Sequence, residues 1–161
     1  NSQPWKFVVV RQKNAELAKL AYGGNYDQVM EAPVTIALFT DTDLQRRARK
    51  IARVGGVQNF TEEQLQYFMQ NLPAEYSRYN EQQISDYLAL NAGLVAMNLV
   101  LALTDQGIGS NIILGFDKSK INEVLEIEER FRPELLITVG YAAEKVEPSY
   151  RLPVDEIIEK R

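Results

Sequence analysis

Between Ile84 and Gln106, apolar side chains recur on every side of a helix. Leu88, Leu90, Leu94, Val95, Met97, Leu99, Val100, Leu101 and Leu103 do not line up as one stripe. A helix that is apolar all round belongs in a core or in an obligate interface. Asn91 and Asn98 are its conspicuous polar members, and Gly107 and Gly109 end it. The fold must be built against this helix. The chain has 161 residues, a length that suits one domain. One small domain can hardly cover such a helix by itself, so the pattern predicts a homodimer.

Four short runs read as strands around it. Lys6-Phe7-Val8-Val9-Val10 has the β-branched density of a buried strand. Val34-Thr35-Ile36-Ala37-Leu38-Phe39 shows little polar alternation, as expected of a strand covered on both faces. Ile112-Ile113-Leu114 and Leu135-Leu136-Ile137-Thr138-Val139 are the third and fourth. Asn14 caps a short helix to about Tyr22, and Asp41 or Asp43 opens a basic helix that Gly55-Gly56 breaks. Thr61 with Gln64 is a capping-box pattern at the start of a polar stretch reaching to about Asn80. Asp117 is expected to cap a helix to about Leu125, and residues 151–158 to form an extended arm with a terminal turn. Interleaved strands and helices place the class as α/β or α+β around a central sheet.

Composition removes whole classes of chemistry. The chain has no Cys and no His. Disulfides, thiolate metal sites, cysteine nucleophiles, Ser-His-Asp catalysis and His-ligated metals are therefore excluded; carboxylate-only metal sites survive this cut, though no metal site is assigned. Chemistry carried by a bound organic cofactor survives. The net charge is −4, with nine basic against five acidic residues in 1–60 and nine against seventeen in 61–161. A weakly acidic chain is not expected to bind nucleic acid. The basic run Arg46, Arg47, Arg49, Lys50, Arg53 reads as a solvated helix face or as a patch attracting dinucleotide phosphates. No signal peptide is visible, and no apolar run reaches the roughly 20 residues of a membrane span. The closest, 92–103, is interrupted by Gly93 and Asn98. A cytoplasmic protein without membrane contact is expected. The chain opens on Asn1 and enters a strand almost at once, as an interior stretch of a longer protein would.

Two tempting motifs do not hold. Gly107-Ile108-Gly109 has Ile112 where a dinucleotide-binding fingerprint needs its third glycine, and it follows a helix instead of a strand. The pairs Glu62/Glu63, Glu128/Glu129 and Asp155/Glu156 lie in polar surroundings and read as solvated helix ends, not as acid/base pairs. Three segments are harder to dismiss. Asn1-Ser2-Gln3-Pro4-Trp5 clusters amides beside an aromatic before a buried strand. Leu114-Gly115-Phe116 puts a glycine at a strand exit, where backbone can approach a planar ligand. Tyr150-Arg151-Leu152-Pro153 holds a lone Arg in an apolar tail.

Taken together, Asn1-Ser2-Gln3-Pro4-Trp5-Lys6-Phe7, the helix around Asn91–Leu99, Gly107-Ile108-Gly109-Ser110, Gly115-Phe116-Asp117, Gly140-Tyr141 and Arg151-Leu152-Pro153 resemble the FMN-dependent nitroreductase family over essentially the whole chain. The resemblance implies an α+β sandwich with a central, mostly antiparallel sheet flanked by helices. Its long buried helix would lie at a homodimer interface that holds two FMN sites. It implies one domain over 1–161, with 41–83 a helical excursion. The family's first segment, with its phosphate-binding arginines, is not in this sequence. The implied activity is hydride transfer from NAD(P)H through flavin N5 to nitroaromatic, quinone or related acceptors by a ping-pong mechanism. The alternative is a non-catalytic, flavin-storing or flavin-degrading relative. By the resemblance, Asn1 and Gln3 border the flavin across the dimer, and Gln28 supplies an amide to its pyrimidine edge. Ile112 and Leu114 line the ring, the Gly115 N–H reaches N5, and Arg151 pairs with the phosphate. Some members carry Glu where this chain has Leu114, so a water-binding role is lost there.

Overall fold

The computed structural model describes residues 2–11, 14–57, 59–144 and 149–161. In chain order these form β1 (Trp5–Arg11), α1 (Ala15–Ala18), α2 (Asn25–Glu31), β2 (Val34–Asp41), α3 (Leu44–Val57) and α4 (Glu62–Gln66). A π-helical turn (Tyr67–Asn71) and α5 (Leu72–Tyr76) follow, then α6 (Glu81–Asp105), β3 (Gly109–Ile113), α7 (Ile121–Val124), β4 (Phe131–Gly140) and a 3-10 turn (Val154–Glu156). The fold is α+β. The strands pair antiparallel in the order β1-β2-β4-β3, so β1 and β3 are the two edges.

Register follows from the apolar runs. Ile36 faces Ile137 and Leu38 faces Leu135, on the side that packs against α6. Ala37 faces Leu136 on the other side, under α1, α2 and α7. Leu136 and Ile137 are adjacent, point to opposite faces and are both 0% exposed. A one-residue slip would exchange the two cores, so the register is strongly specified. Both strands run further than the apolar stretches suggest. β4 starts at Phe131, and the register shifts between Leu38 and Phe39, where Phe39 faces Pro133. Proline has no N–H for the ladder, and a bulge is where a strand accommodates it.

The long helix covers 81–105, opened by a capping box between Asn80 and Gln83. Gly107, at φ +71°, makes the left-handed turn that a residue with a Cβ adopts only at a cost. Gly109 begins β3 and does not belong to the helix end. Within this chain α6 buries one side only. Leu88, Ala92 and Ala96 are buried, whereas Leu90, Leu94, Met97 and Leu101 are 50–64% exposed. Over its most apolar stretch α6 has a mean hydropathy of 1.7 and is long and apolar enough, by those two measures, to cross a membrane. That corrects the expectation that no run qualifies; the helix lies on the sheet, tied to β4 by Arg132 donating to the Ser85 hydroxyl at 2.8 Å.

The helical excursion differs most from expectation. α3 runs through Gly55 and Gly56 to Val57 instead of stopping there. Asp43 caps it by accepting from Arg46 N–H at 2.8 Å. The Thr61–Gln64 capping box is present. Pro73 removes the N–H that would bond Met69 and crowds that carbonyl. The turn before it opens to the π pattern, with Leu72 N–H donating to Tyr67. The first helix is short, 15–18, with Asn14 accepting from Leu17 N–H at 2.9 Å. Asp117 takes Ser119 N–H in a turn ahead of α7 and does not cap the helix itself.

Candidate functional site

Gln3, Gln28, Ile112, Leu114 and Gly115, of the residues singled out from the sequence, lie at the two opposite edges of the sheet. At the β3 edge, the chain leaves the strand through Leu114 and Gly115. Gly115 O accepts from Tyr22 N–H at 2.9 Å and from Asn25 Nδ2 at 3.2 Å, which fixes the strand exit against the start of α2. A Cβ at Gly115 would stand 3.0 Å from Asn25 Nδ2, so the position suits only a bare backbone while Asn25 holds that carbonyl. The Gly115 N–H donates to no group among the described residues. Leu114 beside it is 65% exposed, and Ile112 lies partly buried on the α6 side.

Gln28 joins this group from α2. Its Oε1 accepts from Asn111 Nδ2 at 2.6 Å, so its NH₂ end is presented outward. The structure therefore brings Gln28, Ile112, Leu114 and Gly115 to one edge. Asn25 and Asn111 support them and were not read from the sequence. An amide heading the apolar run Ile112-Ile113-Leu114 is the signal that could have found Asn111.

At the β1 edge, Ser2-Gln3-Pro4 is pinned from three directions. Ser2 is buried and bonds Tyr87 of α6 at 2.6 Å, and Tyr87 meets Tyr76 at 3.2 Å. Asp41 N–H donates to Pro4 O at 2.6 Å. Arg47 of α3 donates to Gln3 O. Gln3 itself has φ +43°, a left-handed conformation that costs a non-glycine residue energy and persists when its surroundings impose it. Asn1 lies outside the described residues. β1 and β3 are separated by β2 and β4, three strand spacings or about 14 Å across the sheet, and Gln3 and Gly115 flank these opposite edges. Within one chain they are not one pocket.

Arg151 is exposed, and its guanidinium bonds only locally, to the Ser149 hydroxyl at 2.7 Å and Tyr150 O at 2.8 Å. The structure does not bring it to either edge group.

The electrostatics between these groups are cationic. Arg46, Arg49, Lys50 and Arg53 are exposed along α3, and among the described residues none pairs with a carboxylate. Below them Arg130 bonds the buried Asp41 at 2.5 Å and Glu128 at 3.0 Å, and its guanidinium stacks 4.1 Å from the Phe131 ring centroid. The Arg130 hydrogen bond holds the Glu128 carboxyl below the usual range, and Glu128 with Asp41 raises Arg130. Burial, then the hydrogen bond to Tyr87, raises Tyr76 well above an ordinary phenol. Among the described residues no cluster of acidic side chains could hold a metal.

Comparison with known proteins shows the family and the fold. The model of the nitroreductase family matches residues 1–141. "Putative NAD(P)H nitroreductase Spy0809" of Streptococcus pyogenes is 62% identical over 161 residues, 100% of this chain and 80% of that protein. The structure of a "Nitroreductase Family Protein from Streptococcus pneumoniae TIGR4" superposes with a TM-score of 0.96 at 87% identity, over 99% of this chain and 80% of that one. A "putative nitroreductase in complex with FMN" from Exiguobacterium sibiricum 255-15 gives 0.86 at 26% identity, over 99% and 78%.

Proposed function

Since the chain belongs to the nitroreductase family, we propose that it is an FMN-dependent oxidoreductase. It would pass hydride from NADH or NADPH to a nitroaromatic, quinone or related acceptor by a ping-pong route. The observation that carries this reading is the Gly115 N–H, which has no partner among the described residues and sits beside an exposed Leu114 and the amide of Gln28. A flat apolar shelf with a few fixed polar donors fits a flavin ring. When bound, FMN supplies N5, the atom that takes and releases hydride, so the protein needs neither His nor Cys for the chemistry.

The residues then have separate tasks. Leu114 and Ile112 present apolar surface to the ring and keep water from it. Gly115 offers its N–H to N5, and Gln28 its NH₂ to the pyrimidine edge. Arg151, on a tail that makes no bond to the body of its own chain through this side chain, supplies a fork-shaped cation suited to a phosphate. Asn1 and Gln3 border the ring from a second copy, which is why Gln3 and Gly115 occupy opposite sheet edges.

That division requires a homodimer, and the exposed face of α6 supports one. Leu90, Leu94, Met97 and Leu101 recur at i, i+4, i+7 and i+11 and are exposed in the single chain. A patch of this kind on a protein marks an interaction surface. We place the whole of 1–161 in one domain, with 41–83 as an excursion, and the protein in the cytoplasm. The full-length protein supplied with FMN should oxidise NADH or NADPH when a nitroaromatic or quinone is present. Protein that stays colourless after FMN addition would contradict the reading.

A further inference from the structure

We propose that the cavity between α3 and the π-helical turn is a recognition site for a planar aromatic compound bearing a carboxylate or similar anionic group. Resting on the flavin reading above, this compound is the electron acceptor. The cavity measures about 430 Å³ and is lined by Gln3, Arg47, Lys50, Ile51, Phe60 and Phe68 among others. That size is in the range of small-molecule sites.

Its lining combines two kinds of group. Phe60 and Phe68 stack with centroids 5.5 Å apart and planes at 27°, and Ile51 adds apolar surface. Arg47, Lys50 and Gln3 supply two cations and an amide, with no acidic residue among the lining. A flat ring stacks on the aromatic pair, and an oxyanion pairs with the cations.

Three local irregularities converge here, each unfavourable by itself. Gly55 stands inside α3, where glycine is a poor helix former. Any Cβ there would come within 2.1 Å of the Phe60 ring, so the missing side chain is what lets Phe60 lie against the helix. The π-helical turn, of a kind found frequently at functional sites, carries Phe68 to its partner. Arg47 uses one nitrogen on Gln3 O, while its Nε is buried without a partner among the described residues. Buried donors are almost always satisfied. The Arg47 side chain lines the cavity with its hydrogen bonding incomplete, so it brings a cation there that no carboxylate of this chain neutralises among the described residues. Because Arg47 also holds Gln3, the residue assigned to the flavin border, the cavity opens beside the place where the acceptor must meet the ring.

The test is calorimetric titration of the full-length protein with 4-nitrobenzoate and with its neutral counterpart, 4-nitrobenzyl alcohol. The carboxylate should bind about tenfold tighter at low salt, and the gap should shrink as salt screens it. Lys50→Gln, at an exposed position, should remove most of the gap. Phe60→Leu should weaken both ligands alike. Equal affinities for the two probes, including no measurable binding of either, would overturn the proposal, as would a gap that survives Lys50→Gln. So would ADP competing at the site while the two probes bind equally, which would assign the cations to the donor's phosphates. The two readings fail separately. A carboxylate preference in a protein that reduces no acceptor would sink the flavin reading and the acceptor role, and leave the cavity as a binding site for the anion. Turnover with equal use of charged and neutral acceptors would sink this one alone.

Discussion

Arg151 separates reading from geometry at the scale of a residue. Its bonds are to Ser149 and Tyr150, two neighbours in an exposed tail. If it serves a phosphate, it does so in an assembly larger than one chain. Arg151→Ala should then weaken FMN binding about tenfold to a hundredfold, the worth of one or two hydrogen bonds to a charged group. Turnover at saturating FMN should change little. Flavin fluorescence titration of mutant and parent decides it, and equal dissociation constants would return Arg151 to the solvated surface. Arg130 has the opposite character. It neutralises Asp41, whose side chain is 2% exposed, while its own is 23% exposed. Arg130→Ala leaves a buried carboxylate unpaired and should cost about 3 kcal/mol, read from urea midpoints. Arg130 was not visible as important in the sequence, and Arg47 stood out only as one of a basic run, not as the residue that holds Gln3 O. Their partners are the distant Asp41 and Gln3, and a single surface-like arginine carries no pattern that announces a buried acceptor far along the chain. Leu114 and Gly115 drew notice locally, as a glycine at a strand exit, whereas Gln28 entered only through the family resemblance; the structure brings the three to one sheet edge.

At the scale of elements, the strands and α6 were readable because apolar periodicity is strong over their lengths. α6 reads as apolar all round, fit for a core or an obligate interface; within this chain one face meets the sheet and the other is exposed among the described residues. Sequence pattern reports where apolar groups are, not which chain covers them. Leu94→Glu should therefore leave the internal core intact and disrupt pairing. Sedimentation is expected to show the parent as a dimer and the variant as monomer or as a markedly weaker dimer. A parent that stays monomeric at micromolar concentration would contradict the role given to this face. α3 was misjudged at Gly55-Gly56 because glycine is disfavoured in helices on average. Here tertiary packing overrides the propensity, since Phe60 occupies the room that a side chain at 55 would fill. The π-helical turn was not foreseen either, though Pro73 contains its cause.

Over the whole molecule, charge and pH act through a few groups. The Ser119 hydroxyl and then its N–H hold Asp117 below the ordinary carboxylate range, and Arg130 does the same for Glu128. An acid whose pKa is lower folded than unfolded adds stability that is full above the unfolded value and lost as pH falls through the folded one. Acid unfolding should therefore set in below about pH 4, and Asp117→Asn should make that limb shallower in a circular-dichroism titration. Tyr76 works at the other limb. Burial raises it, so its neutral form stabilises the fold below about pH 10 and that support is lost as pH rises further. The fold places the Gln28–Gly115 group and the Ser2–Pro4 group at opposite sheet edges, with one α6 face exposed among the described residues; in the proposed reading a second copy joins the two groups across that face. The central claim is that a protein with this arrangement holds FMN and lets a nicotinamide donor reduce it. The direct measurement is anaerobic titration of the FMN-loaded, desalted full-length protein with NADH and NADPH while the flavin absorbance is followed. The account predicts that flavin stays with the protein through desalting and that at least one donor bleaches it stoichiometrically. Flavin lost on desalting, or retained and left yellow by both donors, would contradict it.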